Sequence, residues 1–323
     1  MGSNTGKPAS AGKVSRRGVL GVTGALLGAA AAEAAESVAA PKAGGRFAGK
    51  VAVITGGARG MGRSHAVALA REGATIVACD ILEQIPTAAY PLATQADMDA
   101  TARMVTDAGG RFVGIKADVR DPRAADAVIA RAVNDFGKVD FLLANAGIYA
   151  TKPAAETSDQ MFDEIVRTNL YGVFNIIRAA LPPMTRQNYG RIVATSSQAG
   201  RMGFADTSAY AASKWGVIGL TKSVSLEVVK KGVTVNCVCP TAVNTPLVNN
   251  PAAWRQTLVG DPAPTKEKYE AKMRANPYLP QGVPWVEPEE VSAAIMFLLS
   301  DEAKHITGVA LDVTAGGSAS YMA

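Results

Sequence analysis

From Lys50 onward, apolar runs of strand length alternate with amphipathic stretches of helix length. The runs are KVAVIT at 50–55, ATIVACD at 74–80, RFVGIKADV at 111–119, VDFLLANAG at 139–147, GRIVATSS at 190–197, GVTVNCVCP at 232–240 and GVALDVT at 308–314. The amphipathic stretches cover 61–72, 97–108, 122–136, 159–181, 208–231 and 288–300. Near-continuous Val/Ile/Ala runs predict strands covered on both faces, as in a parallel sheet sandwiched by helices. Seven such strands with helical crossovers predict an α/β fold, a single Rossmann-type domain built on a doubly wound parallel sheet. No internal repeat and no linker divides 46–323, so that span reads as one domain.

Two segments exceed what a connection needs. Residues 81–96, ILEQIPTAAYPLATQA, follow the second strand with two prolines and Tyr90. Residues 241–287 follow the sixth strand and contain Trp254, Tyr269, Tyr278 and Trp285 among several prolines. Long segments in compact domains serve as covers or are disordered, and the aromatic content favours covers. The first is expected beside the end of the second strand, the second as a lid over a substrate.

Residues 1–45 read differently. SRRGVLGVTGALLGAAAAEAAE, at 15–36, places twin arginines before a short apolar run and small residues of A-x-A type. That is the layout of a twin-arginine export signal, although the Lys or Phe common after the arginines is missing. The apolar run is too short for a stable membrane span. The expectation is export of the folded domain; the alternative is an Ala-rich extension on a cytoplasmic protein.

Composition excludes several classes. Charged residues make up 19% of the 323 and the net charge is +5, with no Lys/Arg run beyond pairs, so no nucleic-acid footprint is visible. Cys79, Cys237 and Cys239 sit in strand-like runs without metal-ligand spacing, and His65 and His305 are near no nucleophile motif. The chemistry therefore has to come from elsewhere.

One candidate is the stretch VAVITGGARGMGRSHAVALA. Here Gly56, Arg59, Gly60, Met61 and Gly62 join the first strand to the first helix. Glycines let the backbone approach a pyrophosphate, and a helix N-terminus supplies free N–H groups and a positive dipole end. Asp80 closes the second strand, where a carboxylate accepts hydrogen bonds from ribose hydroxyls and repels a 2′-phosphate. This favours NAD over NADP. Arg59 argues the other way, but an exposed arginine returns less than a carboxylate costs against a phosphate.

The second candidate is SAYAASKWG, which puts Tyr210 and Lys214 on one face of a helix. An ammonium held near a phenol is expected to lower its pKa from about 10 toward working pH. With TGGARGMG (55–62), ADV (117–119), NAG (145–147), Asn169 in RTNLYGVF, IVATSS (192–197), YAASK (210–214) and CPTAVNTP (239–246), the chain resembles the short-chain dehydrogenase/reductase family over about 46–323. The resemblance implies roles. Tyr210 would be the general acid/base, Ser197 would hydrogen-bond the reacting oxygen, with Ser196 as the alternative, and Lys214 would tune Tyr210 and grip the nicotinamide ribose. Asn169 would hold a water linking Lys214 to solvent. Asp118 and Val119 would touch adenine. Asn145, Ala146 and Gly147 would shape the cofactor cleft, with Pro240, Val243 and Thr245 at the nicotinamide end and Thr245 on its carboxamide. The family oxidises secondary alcohols or reduces ketones, and often forms homotetramers through its two long helices.

The ARGMGRSHA continuation and the insertion after Asp80 further resemble the carveol-dehydrogenase-like branch coupled to the redox carrier mycofactocin. In that branch the insertion would cover NAD, so that it is recycled in place by the external acceptor. The lid's apolar residues suggest a cyclic or terpenoid secondary alcohol, with Arg255 and Arg274 open as anchors for an anion. Rival readings are a family member with freely exchanging NAD acting on a steroid or diol, an isomerase or dehydratase using NAD transiently, and a non-catalytic NAD-binding scaffold.

Overall fold

Each apolar run forms a strand: β1 (Val51–Thr55), β2 (Thr75–Asp80), β3 (Arg111–Lys116), β4 (Phe141–Ala144), β5 (Gly190–Thr195), β6 (Val233–Pro240) and β7 (Ala310–Val313). The computed structural model describes residues 44–276, 279 and 281–320 together with Gly2. The export-signal stretch 15–36 and Tyr278 lie outside the described residues. From residue 44 on, the described residues belong to one compact unit.

All strands pair in parallel in the order β3-β2-β1-β4-β5-β6-β7. β1 pairs with β2 on one side (Val53 beside Val77) and with β4 on the other (Val53 beside Leu142). The order therefore reverses between β1 and β4, and a crevice opens at their carboxyl ends. The inner strands β1, β4, β5 and β6 are buried throughout, whereas the edge strands β3 and β7 are mostly half-buried. β3 and β4 stop short of the apolar runs that announced them. Residues 117–119 and 145–147 lie past the last paired residues and line the crevice as loops.

The helices are α1 (Gly60–Arg71), α2 (Gln95–Asp107), α3 (Pro122–Phe136), α4 (Asp159–Val166), α5 (Gly172–Gln187), α6 (Ser208–Val228), α7 (Pro251–Thr257), α8 (Lys266–Arg274) and α9 (Pro288–Leu299). α3, α5 and α6 pack one face of the sheet; α1, α2 and α9 pack the other. Local chemistry sets several ends. Thr94 and Asp97 form a reciprocal capping box on α2. α3 begins with Asp121 capping ahead of Pro122 and ends on Gly137 at φ 77°, a left-handed position glycine takes without strain.

Two expectations change. The stretch 159–181 is not one regular helix: Arg167–Tyr171 form a π-helical turn between α4 and α5. The helix also runs past 181, with Pro182 and Pro183 inside it. Both prolines fall in the last two turns, where few backbone bonds remain to lose. α7 and α8 inside 241–287 were not foreseen, because neither presents an apolar stripe: Tyr269 is the one buried residue of α8 and α7 has none. Among the described residues no helix is long and apolar enough to cross a membrane.

Candidate active site

After Thr55 the chain turns sharply through Gly56 (φ 65°) and enters α1 at Gly60 (φ 58°). A Cβ on Gly62 would stand 2.1 Å from the Gly56 carbonyl oxygen, so only glycine lets the helix start this close to the strand. No side chain caps α1, and its first N–H groups stay directed at the crevice. The loop is tied to the end of β4. Thr55 Oγ1 accepts the Asn145 and Ala146 N–H groups at 3.0 Å, and Asn145 Nδ2 donates to the Thr55 and Gly56 carbonyls at 3.0 and 3.3 Å. Asn145 is thus a brace of the glycine loop as well as a wall of the cleft.

The crevice above this loop is a cavity of about 140 Å³, and its walls include Gly56, Arg59, Gly60, Met61, Asp80, Asp118, Val119, Asn145, Ala146, Gly147 and Thr245. Asp80 accepts the Ala58 N–H at 3.1 Å. Burial lifts the Asp80 carboxyl above its usual range, opposed by backbone N–H donors and by Arg59. Arg59 lines the same cleft, and its guanidinium donates to the Pro91 carbonyl of the 81–96 segment. Asp118 is held by Arg120, whose guanidinium reaches the carboxylate at 2.6–3.0 Å.

A larger cavity, about 480 Å³, continues from the first. Met61, Asn145, Gly147, Ile148, Thr245 and Leu247 line both. Pro240, Val243, Ser196, Ser197, Tyr210 and Lys214 line the larger one only. The Tyr210 and Ser197 side chains both line it, and the Ser197 hydroxyl also accepts the Ala199 N–H at 3.1 Å. Ser196 is turned away from that pair: its hydroxyl donates to the Lys214 carbonyl at 2.8 Å. The two serines named by the sequence are used differently here. Ser196 braces α6, and Ser197 faces the tyrosine.

Lys214 is 3% exposed, its ammonium donates to the Thr195 carbonyl at 2.8 Å, and it lies 5.6 Å from the Tyr210 ring centroid. Burial pushes its pKa down to about 8. Tyr210 departs from expectation. Burial moves its phenol above the usual range, and the opposing influence is the Ser197 hydrogen bond, not Lys214. Desolvation outweighs the lysine because the ammonium lies beside the ring, held by a carbonyl.

Asn169 also carries a structural task. It is fully buried in the π-helical turn, where an extra residue per turn breaks the regular backbone ladder. Its Oδ1 accepts the Ile148 N–H at 2.8 Å, and its Nδ2 donates to the Ile148 carbonyl at 2.9 Å and to Ser213 Oγ at 3.3 Å. The side-chain amide thus clamps the loop after β4.

Several site residues escaped the sequence. Tyr149, two positions past the NAG motif, stands edge-on to Tyr210 with centroids 4.9 Å apart at 90°. Its place just beyond the end of β4 was the available signal. Tyr90 lines the smaller cavity, and its hydroxyl accepts the Tyr149 N–H at 3.2 Å. Gln84 organises the 81–96 segment. Its amide donates to the carbonyls of Ala88 (2.8 Å), Ile85 (3.2 Å) and Tyr90 (3.2 Å), and accepts the Leu92 N–H at 3.0 Å. Gln198 receives the Thr241 hydroxyl at 2.7 Å on the cavity wall. Across the lid, Tyr269 and Trp285 stack 6.1 Å apart.

Other reactive groups take no part. His65 is buried in α1, bonded through Nδ1 to the Ser292 hydroxyl at 2.7 Å, and burial pushes its pKa down to about 3. Cys79, Cys237 and Cys239 are free and buried; burial lifts Cys79 to about 12, and the bond to Cys237 raises Cys239 further. A thiol held protonated, as at Cys79 and Cys239, is a poor nucleophile.

The profile of the short chain dehydrogenase family matches residues 50–256. (-)-trans-Carveol dehydrogenase of Rhodococcus erythropolis is 41% identical over 274 residues, 84% of this chain and 98% of that protein. Levodione reductase of Leifsonia aquatica is 33% identical over 281 residues, 85% of this chain and 97% of that protein. The structure of carveol dehydrogenase from Mycobacterium avium in complex with NAD superposes with a TM-score of 0.82 at 38% identity, covering 85% of this chain and 99% of that one.

Proposed function

Because this chain belongs to the short chain dehydrogenase family, we propose that it is an NAD-dependent oxidoreductase that interconverts a secondary alcohol and its ketone. One observation carries this reading: Ser197 and Tyr210 line one cavity that runs on into a glycine-lined dinucleotide cleft, with Lys214 buried in the same wall.

The residues present fit NAD. The glycine turn and the uncapped start of α1 suit a pyrophosphate, and Asp80 suits a ribose diol. A Cβ on Gly147 would crowd Asn169 Oδ1 at 3.2 Å and Lys214 Nζ at 3.5 Å, so the bare backbone keeps the floor between cleft and lysine open. When bound, NAD supplies the hydride acceptor and donor. The protein supplies the proton handling and the aim. Tyr210 takes the proton of the alcohol hydroxyl, and Ser197 donates to the same oxygen as negative charge builds on it. Lys214, with a pKa near 8, exchanges protons over the range in which the phenol has to be recharged.

The substrate class follows from the wall. Tyr149, Phe204, Leu247, Val248, Tyr269 and Met273 give an apolar surface, and Lys214 is the one cation among the described lining residues. Arg255 and Arg274 do not line it, and Arg274 faces Glu270 at 3.9 Å. A neutral cyclic or terpenoid alcohol fits better than an anion, in keeping with the carveol and levodione named for the relatives. The 81–96 segment supports tightly held NAD, recycled by an external acceptor such as mycofactocin. Phe162, Tyr171, Phe174 and Trp215 stand exposed along α4–α6, which supports a homotetramer. The twin-arginine stretch supports export.

Mass spectrometry and absorbance of the protein as isolated test this reading together. Bound NAD that survives desalting supports the held-cofactor form. Full loss of NAD with turnover of an added steroid or diol favours free exchange. Bound NAD with no turnover of any alcohol leaves a binding scaffold.

A further inference from the structure

The 81–96 segment touches more than the dinucleotide cleft. Ile85, Ala88, Tyr90 and Ala93 are buried, with Tyr90 6% exposed, and Ile85 packs in one apolar cluster with Ile148, Ile165 and Ala209 against Tyr210. Tyr90 belongs to the wall of the smaller cavity, Tyr149 to the wall of the larger, and Ile148 to both. Two consecutive peptide groups of the loop after β4 are gripped from opposite sides. Asn169 holds Ile148 through both its N–H and its carbonyl, and the Tyr90 hydroxyl accepts the Tyr149 N–H at 3.2 Å. The Tyr149 ring then meets the Tyr210 ring edge-on at 4.9 Å. The Tyr210 ring is thus buttressed edge-on by Tyr149.

We propose that Tyr90 is a positioning residue of the reaction. By holding the Tyr149 backbone it sets the ring that abuts Tyr210, so the inserted segment aims the phenol as well as covering the cofactor cleft. This rests on the dehydrogenase reading above. It assigns to the insertion a second task on the substrate side, carried by one hydroxyl that does not touch substrate.

The test compares Tyr90→Phe, Tyr149→Leu, Tyr149→Phe and the Tyr90→Phe/Tyr149→Leu double variant with wild type. The assay uses the cyclic secondary alcohol that wild type turns over best, with NAD⁺ affinity measured separately by fluorescence titration. Tyr90→Phe keeps the ring and loses only the acceptor. The expected result is a kcat lower by roughly tenfold, with KM and the NAD⁺ Kd each within about twofold, the pattern of a lost transition-state alignment. The double variant should be no slower than Tyr149→Leu alone, because both changes release the same ring. Tyr149→Phe, which retains the ring, should lose less than Tyr149→Leu. A loss in Tyr90→Phe that appears as weaker NAD⁺ binding, or losses that multiply in the double variant, overturns the proposal and leaves Tyr90 as a wall of the cofactor cleft. Wild type that turns over no alcohol overturns the dehydrogenase reading instead, and is recognised before any variant is compared.

Discussion

Segments 81–96 and 241–287 look alike as sequence, proline-punctuated and aromatic, yet they are held by opposite means. The shorter one is irregular up to the start of α2 at Gln95 and is fastened by polar side chains. Gln84 makes four side-chain hydrogen bonds to it, Thr87 N–H reaches Glu164 at 3.1 Å, and Arg59 grips Pro91 from the glycine loop. The longer one has two helices and is held mainly at its neck and by a few buried side chains. Its ends are joined where Val243 and Val286 bridge, with Asn244 N–H on the Val286 carbonyl and Val286 N–H on the Ala242 carbonyl, each at 2.9 Å. Its charged helix α8 buries Tyr269 alone. The first segment therefore depends on one side-chain hub, and the second on its joined neck and on the buried Tyr269, Leu279 and Trp285. The contrast implies a cover over the dinucleotide fixed by polar side chains and a cover over the substrate held by its neck and its apolar contacts.

The sharpest way to break that division is at the residue both covers enclose. Tyr210→Phe keeps the ring against Tyr149 and removes the proton carrier. Turnover should fall by about 10³-fold or more, within the range for loss of a general acid/base, while NAD⁺ affinity stays within about twofold. Steady-state kinetics beside NAD⁺ titration decide it; residual activity near wild type removes Tyr210 from its role.

Next in size is the fixed cover itself. Gln84→Leu strands the Leu92 N–H and three carbonyls that the amide serves. These groups are exposed or part-buried and can turn to water once the amide is gone, so the segment should open more often and NAD release accelerate by about tenfold. Stopped-flow displacement of NAD measures this, and an unchanged off-rate means the segment does not control release. The matching change in the other cover is Trp285→Ala. It removes the ring stacked on Tyr269 and frees a contact to Glu287 at 3.0 Å. KM for the alcohol should rise by about tenfold, equivalent to 1.4 kcal/mol, with NAD release unaltered. Equal effects of both variants on both ligands would dissolve the contrast.

Much of this was legible in the chain because it follows from short-range pattern. The inner strands announced themselves because burial on both faces leaves no polar alternation in VAVIT, FLLA or GRIVAT. The pairing of Tyr210 with Lys214 needed only the pitch of a helix, and the glycine turn only the positive φ at Gly56 and Gly60. What stayed hidden depends on contacts between distant residues or on context that overrides propensity. The Tyr90–Tyr149 bond joins residues 59 apart, and Asn169 reaches back 21 residues to Ile148. Pro182 and Pro183 read as a helix end, but α5 carries them because its closing turns have little ladder left to break. The balance of forces on Tyr210 was hidden too: proximity to an ammonium is visible in a sequence, and the depth of burial that opposes it is not.

The smallest effect is expected at Asp80, where the fixed cover begins, and it tests whether cofactor choice and stability are separable there. Asp80→Asn keeps an oxygen for the Ala58 N–H and removes the charge. Without the carboxylate's repulsion of a 2′-phosphate, the preference for NAD over NADP should fall by about tenfold, or 1.4 kcal/mol. Reversal is not expected, because the Arg59 guanidinium also serves the Pro91 carbonyl. Stability should move the other way from most substitutions at a conserved-looking site. Burial raises the folded-state pKa of Asp80 above its ordinary 3.8. As pH rises from 3.8 through that raised value, the unfolded chain has released its proton and the folded chain still holds one, so the folding free energy weakens across the window. At neutral pH the wild type carries that desolvation cost in full and the asparagine does not. Asp80→Asn should therefore match or slightly exceed wild type in urea unfolding at pH 7, by at most about 1 kcal/mol given the partial solvent contact of the side chain, with the difference vanishing below pH 3.8. A variant clearly less stable than wild type at pH 7 would mean that Asp80 fastens the start of the 81–96 segment through its charge, and the fixed cover would then depend on an ion where the hydrogen bonds of Gln84 were taken to suffice.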